Sequence, residues 1–375
     1  MRNTFILILF LSCFQSLAQK VSLFDDPDKL NLVSQCGDYI YNNEFKKADS
    51  AILVLANRLP GHPVLYLMRA INIGWKEMPI TTTSEVFPAH YAELQKVIES
   101  ALKLQELDPE GPDGIFFEMS ARGLLAEYYA REGAYLKALG EARKMYGLVR
   151  LGFDFVDENK EFLFSTGLYN YFREMYPDRH PIYKPFVWVF KSGDMKTGLA
   201  QLDQATREAK MIKIEASLYL SYIYLRYENQ PLKALVYLEK LVSKYPKNNY
   251  FKSKLLECLF VKLDYSRAFP LLTELMENED PYYKMCGQVY FGIYQEKLIK
   301  DYSLSEKYYE QALNTGKHYI DKGIYFRCLA YLGLGRINKA RGNNEAANTY
   351  FQNVLEINES DILNQEAKKN IKGLR

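Results

Sequence analysis

Pro231-Leu-Lys-Ala-Leu-Val-Tyr-Leu-Glu-Lys-Leu-Val-Ser-Lys-Tyr-Pro246 is the stretch from which the fold is read. Ala234 is followed by Leu238 and Leu241, and Pro246 closes the run. Residues four and seven apart lie on one face of a helix, so a small residue and two large ones share a stripe. A neighbouring helix approaches closely over the alanine and is gripped by the leucines. Proline has no backbone N–H to give, so it ends the helix. The stretch predicts the second helix of an antiparallel pair.

The same stripe recurs. Ala268, with Leu272 and Leu275, stands 34 residues further on (268 − 234). Upstream, Ala48 precedes Ile52, Leu55 and a terminating Pro60; Ala138 precedes Ala142 and Met145 after a turn at Gly133. Gly198 precedes Leu202 and Ala205 after Gly193. Downstream, Ser305 with Tyr309 and Ala312, and Ala347 with Phe351 and Val354, follow at steps of 37 and 42, which predicts helices lengthened by one or two turns. Between Ala48 and Ala138 a diverged unit is expected, its second helix around Leu94, Ile98 and Ala101, after a loop at Met78-Pro-Ile-Thr-Thr-Thr-Ser84. In the last unit Tyr331, Leu334, Gly335 and Gly342 mark a first helix and its turn.

Carried by these residues, most of 29–361 resembles the tetratricopeptide repeat (TPR) family, with Asn338 standing where the family has a tyrosine. The resemblance implies an all-α, TPR-like helical solenoid, a right-handed superhelix of antiparallel helix pairs. Units are expected near 29–62, 63–112 (diverged), 119–152, 160–212 (irregular), 215–248, 249–282, 286–325 and 328–361, with 362–375 as a capping helix. In the irregular stretch from about 150 to 200, Phe164 to Tyr171 reads as helix, Tyr176-Pro-Asp-Arg-His-Pro181 as a break, and Phe186 to Lys191 as the next helix. Solenoids of this family line a concave wall with the first helix of each unit. Projected onto this sequence, the wall includes Tyr219, Ile223, Arg226, Tyr250, Glu257, Phe260, Arg336 and Lys339. Aromatic side chains there anchor a partner and charges orient it, so these eight are the expected partner-binding residues.

The chain begins with one arginine, the apolar run Phe5 to Phe14, and small residues at Ser16 and Ala18. That order reads as a secretory signal peptide over 1–18, cleaved after Ala18. Leu11-Ser12-Cys13 partly matches a lipidation box, but Phe10 occupies a place that wants a small aliphatic residue, so no lipid anchor at Cys13 is expected. The mature chain is then exported and of bacterial type, found in the periplasm, on the periplasmic face of the outer membrane, or secreted. Beyond the leader the longest apolar run is Pro185 to Phe190, too short to span a bilayer.

With 48 Lys and Arg against 46 Asp and Glu, the charges nearly cancel and are interspersed. No basic stripe marks a nucleic-acid partner. The 31 tyrosines suit a fold whose inter-helix wedges take a ring while the hydroxyl reaches the rim. Cys36, Cys258, Cys286 and Cys328 match no zinc or redox spacing and read as core thiols, with a disulfide left open.

Catalytic signatures are missing. The four histidines form no HExxH, and there is no nucleophile elbow, P-loop or dinucleotide fingerprint. No metal, cofactor or enzymatic activity is expected, and Asp178, Arg179 and His180 read as a proline-bounded turn. The leading reading is an exported scaffold that binds a protein or peptide partner in the cell envelope through its concave surface. A carbohydrate-binding protein of an outer-membrane glycan-uptake system is the alternative, and an uncharacterised enzyme the third.

Overall fold

The structure is a computed structural model that describes residues 22–179, 184, 188 and 190–374. The expected signal peptide over 1–18, with Cys13, lies outside the described residues, as do His180, Pro181 and half of the helix expected at 186–191, namely 186, 187 and 189.

Among the described residues the regular structure is helical, and the α-helices follow one another as antiparallel pairs. The pairs are α1 (Pro27–Tyr41) with α2 (Phe45–Arg58), α3 (Pro63–Lys76) with α4 (Phe87–Leu107), and α5 (Pro112–Arg131) with α6 (Tyr135–Phe155). Next come α7 (Phe162–Arg179) with α8 (Met195–Glu208), α9 (Lys213–Arg226) with α10 (Pro231–Lys244), and α11 (Asn249–Val261) with α12 (Tyr265–Met276). The last are α13 (Pro281–Tyr294) with α14 (Tyr302–Thr315) and α15 (Ile324–Ala340) with α16 (Asn344–Ile357), after which α17 (Asp361–Lys372) covers the end. The fold is an all-α, TPR-like helical solenoid.

Local chemistry explains the punctuation. Asp26, Asp194, Asn248, Asp264, Asp301 and Ser360 accept the backbone N–H three residues on and so cap α1, α8, α11, α12, α14 and α17. Proline opens α1, α3, α10 and α13, where its missing N–H costs nothing. Most turns inside a pair place one residue in the left-handed region. It is Asn43, Gly133, Asn229 or Gly342 in four pairs, but Leu263 and Lys300 in the α11–α12 and α13–α14 turns.

The stripe read from the sequence is the core of the second helices. Ala48, Ala234, Ala268 and Ala347 are buried, as are Leu202, Leu238, Leu272 and Phe351 one turn on. Gly198 shows why the leading residue is small, since a Cβ there would stand 2.7 Å from the Gly167 carbonyl oxygen and from the Tyr171 nitrogen. Leu94, Ile98 and Ala101 of the diverged unit are buried too.

Two local expectations are corrected, and a third is located. In α6, Ala138 and Ala142 are not buried, and the helix packs instead through Leu148 and Val149 in its C-terminal half. The break expected from Tyr176 starts later, because α7 runs through Pro177 to Arg179; a proline in the last turn removes only one hydrogen bond. The long step to Ser305 does not lengthen α14. It comes from a π-helical segment, Gln295–Ile299, added to the end of α13.

The solenoid winds back on itself. Asn248 on α11 donates to the Tyr41 carbonyl at 2.7 Å, Tyr245 donates to Asp38 at 2.6 Å, and Lys247 pairs with Glu44 at 2.7 Å. Trp75 meets Tyr41, Tyr250 and Phe251 edge-to-face behind these bonds, and Tyr245 lies tilted against Tyr41 and Phe251. Further along, Tyr283 donates to the Met78 carbonyl at 2.7 Å and Thr83 to Asp321 at 2.6 Å, so the loop after α3 is held by the α13 and α15 region. The first units therefore pack against the later ones, and the superhelix is closed.

Candidate functional site: the inner wall

First helices touch first helices along the inside of the superhelix, α11 against α13, α13 against α15 and α15 against α17. On α9, Tyr219, Tyr222 and Arg226 fall on one face at three- and four-residue spacing. Tyr219 donates across the interior to Glu127 of α5 at 2.7 Å. Arg226 pairs with the buried Glu257 of α11, lies 4.3 Å from the ring centre of Tyr325 on α15, and donates to that hydroxyl at 3.0 Å. Burial opposes its charge, but Glu257 and Tyr325 outweigh burial and hold the guanidinium above its ordinary range.

Tyr250 stands edge-on to Trp75 at 5.8 Å and carries Lys254 over its ring at 5.2 Å. Lys254 is also 3.7 Å from Glu257. Ile223 and Phe260 are core residues, Ile223 wholly enclosed and Phe260 packed on Tyr290 at 4.7 Å.

Arg336 and Lys339 belong elsewhere on the same wall, about 16 Å further along α15. Arg336 holds Glu296 with two nitrogens at 2.6 and 2.7 Å and Glu366 of α17 at 2.5 Å. Lys339 donates to the Asn370 carbonyl at 3.1 Å. Both fasten α17 to the stack.

Of the residues projected from the family pattern, the structure gathers Tyr219, Arg226, Tyr250 and Glu257 into one cluster. It adds Lys254, Tyr290 and Tyr325, which the projection left out, while Tyr222, on the same face of α9, lies against Tyr227 at 5.5 Å. Tyr222 and Lys254 were available from helical spacing, three after Tyr219 and four after Tyr250. Tyr325 was not, because it reaches Arg226 from two units away.

Two other places have the residue types that sites use. Ser22 donates to Asp113, and His62 faces the same carboxylate through Nε2 at 3.3 Å while its Nδ1 accepts the Val64 N–H at 3.2 Å. A nucleophilic serine needs the imidazole as its base, and here the serine touches the carboxylate instead. The trio ties the first residues of the fold to the start of α5. On α13 and α14, Lys284, Gln288, Tyr308, Gln311, Asn314 and Thr315 line an open groove of about 410 Å³.

No group of three or more His, Cys, Asp or Glu comes together among the described residues, and no described helix is long and apolar enough to cross a membrane. Cys36, Cys258, Cys286 and Cys328 are free and buried, and burial pushes the thiols of Cys36 and Cys328 up to about 12.

The inner wall and its helix pairs define a helical-repeat solenoid. Among solved structures, the chain is similar to the human IFIT1 dimer with PPP-AAAA at 15% identity and a TM-score of 0.38, covering 89% of this chain and 96% of that one. It is likewise similar to the human IFIT1 dimer with m7Gppp-AAAA at 15% identity and 0.38, covering 91% and 97%. No protein-family model matches the chain, and no curated protein does.

Proposed function

We propose that the chain is an exported, non-enzymatic scaffold that binds a segment of a protein partner in the cell envelope along its inner wall. The reading is supported by one observation above all: the cluster on α9, α11 and α15 is ordered by its own contacts yet still reachable. Tyr222 is 46% exposed, and the side chains of Arg226 and Lys254 are 23% and 25% accessible. Side chains already held in place lose little entropy when a partner arrives, which favours binding. Two cations face one carboxylate there, so the cluster favours a segment that brings an acidic group and a side chain to lie against tyrosine.

Ile223 and Glu257 support the wall from behind. Tyr222→Ala and Lys254→Glu are therefore the informative changes, since neither opens the core. Each is expected to weaken capture of the partner from envelope extract at least tenfold, with crosslinks from the unaltered protein mapping to α9 and α11. Retention of the partner by both variants, or crosslinks confined to the outer helices, would sink the idea.

A second reading, carbohydrate binding, is favoured by the groove on α13 and α14, whose amides and hydroxyl pair well with sugar hydroxyls beside Tyr308. Glycan-array binding that disappears in Gln311→Ala is the expected result under that reading, and a blank array removes it.

A further inference from the structure

Two neighbouring turns depart from the rest of the solenoid. The α11–α12 turn reads Val261-Lys262-Leu263, and the α13–α14 turn reads Lys297-Leu298-Ile299-Lys300. Their apolar side chains face water, with Leu263 68% exposed, Ile299 52% and Val261 51%. Tyr265 and Phe269, just after the first turn, each lie 5.7 Å from Tyr294, just before the second, so the two turns form one surface.

The backbone makes this surface costly to keep. Equivalent turns elsewhere use Asn43, Gly133, Asn229 and Gly342 for the left-handed residue, and those residue types adopt it with least strain. Here the position is given to Leu263 and Lys300, at φ values of 58° and 66°. The π-helical turn Gln295–Ile299 adds a second irregularity, and it carries Leu298 and Ile299 out to the tip. The π-helical turn buries Gln295 and Glu296 at its start, but Leu263, Leu298 and Ile299 gain no packing, because their side chains touch solvent.

Charge says what lies against the tips. Lys262, Lys297 and Lys300 alternate with the apolar residues; Lys297 lies 3.1 Å from Glu296, which Arg336 also holds, and Asp264 and Asp301 turn their carboxylates to the first turns of the helices they cap. The opposite edge of the same unit carries Glu277, Glu279 and Asp280. Apolar tips ringed by lysines, backed by an acidic far edge, match a surface that is apolar below and anionic at its rim. We propose that these two turns dock the solenoid on an anionic lipid bilayer, the apolar tips entering the interface and the lysines meeting the headgroups. The inner wall plays no part in this contact.

The test uses the chain without residues 1–18, so that the apolar run at 5–14 makes no contribution. It is sedimented with vesicles of phosphatidylcholine alone or of equal parts phosphatidylcholine and phosphatidylglycerol. Binding to the anionic vesicles is expected to exceed binding to the neutral ones at least tenfold and to weaken with salt. Leu298→Ser with Ile299→Ser, and separately Lys262→Glu with Lys300→Glu, are each expected to reduce it at least tenfold, while Tyr222→Ala leaves it unchanged. Leu263→Asn is the decisive variant, expected to raise the melting temperature by relieving the left-handed leucine while lowering vesicle binding several-fold. Equal binding to both vesicle types, no binding to either, or unchanged binding in the two double variants overturns the proposal. So does a partner protein whose capture depends on these turns while vesicles are ignored.

Discussion

Arg336→Ala is expected to cost about 3 kcal/mol of stability, because removing one member of a buried ion pair leaves the enclosed Glu296 with only the half-exposed Lys297, 3.1 Å away, as a cation. Glu296 is buried at the end of α13, where Arg336 meets both carboxylate oxygens and Tyr309 donates a further bond at 2.7 Å. Its burial alone would raise the carboxyl, but Arg336 outweighs burial and holds it below its ordinary value of 4.5. A depressed carboxyl stabilises the fold above its unfolded value, so this contribution is complete above about pH 4.5 and is lost as pH falls through the lower folded value. Urea unfolding followed by circular dichroism measures the loss, and the deficit between wild type and variant should shrink in acid. Because Arg336 also holds Glu366, the variant should release α17 to proteases before the rest of the chain. Adding Glu296→Gln to the variant removes the stranded charge and should recover part of the stability. A cost below about 1 kcal/mol at neutral pH would mean that the pair is not buried as described.

Phe251→Ala is the second large effect, at about 3–5 kcal/mol for a fully enclosed phenylalanine. Its consequence differs in place. Phe251 meets Trp75 edge-on at 5.3 Å and Tyr245 at a tilt at 5.9 Å, and it stacks on Tyr41 at 6.5 Å, so it sits where α1 and α3 meet α10 and α11. The cavity left by alanine opens the seam between the first units and the later ones, not a contact between sequence neighbours. Amide exchange in α1 and α3 is therefore expected to quicken, while α15 to α17, at the other end of the stack, keep their protection. Uniform acceleration along the whole chain would show instead that the solenoid unfolds as one cooperative body. Either result bears on the inner wall, since Tyr219, Tyr250 and Arg226 all reach partners that the closed winding brings to them.

How far the sequence reached can be seen in single residues. Ala234, Leu238 and Leu241 announced a buried stripe, and it is buried, because side chains four and seven apart share a helix face whatever the rest of the chain does. The same rule failed at Ala138 and Ala142, since α6 turns a different stretch of itself, at Leu148 and Val149, toward its neighbours. Spacing identified the lengthened step before Ser305 but did not say where the extra residues go; a π-helical turn on α13 absorbs them. For the wall, Tyr219 and Arg226 were found by projection from a family pattern. That projection assumes an open concave face, whereas Glu127, Trp75 and Tyr325 occupy much of it here.

Helix pairs, their order, the capped starts, the proline stops and the small residue at each close crossing were determined by the sequence itself. All of them are local, set by hydrogen bonds and contacts within one or two turns. Closure of the superhelix, the seam at Phe251, the meeting of Arg226 with Tyr325 and the shared surface of the turns at Leu263 and Ile299 were decided only by the tertiary structure. Each depends on the small rotation between successive units, added over many units. No single segment encodes that sum.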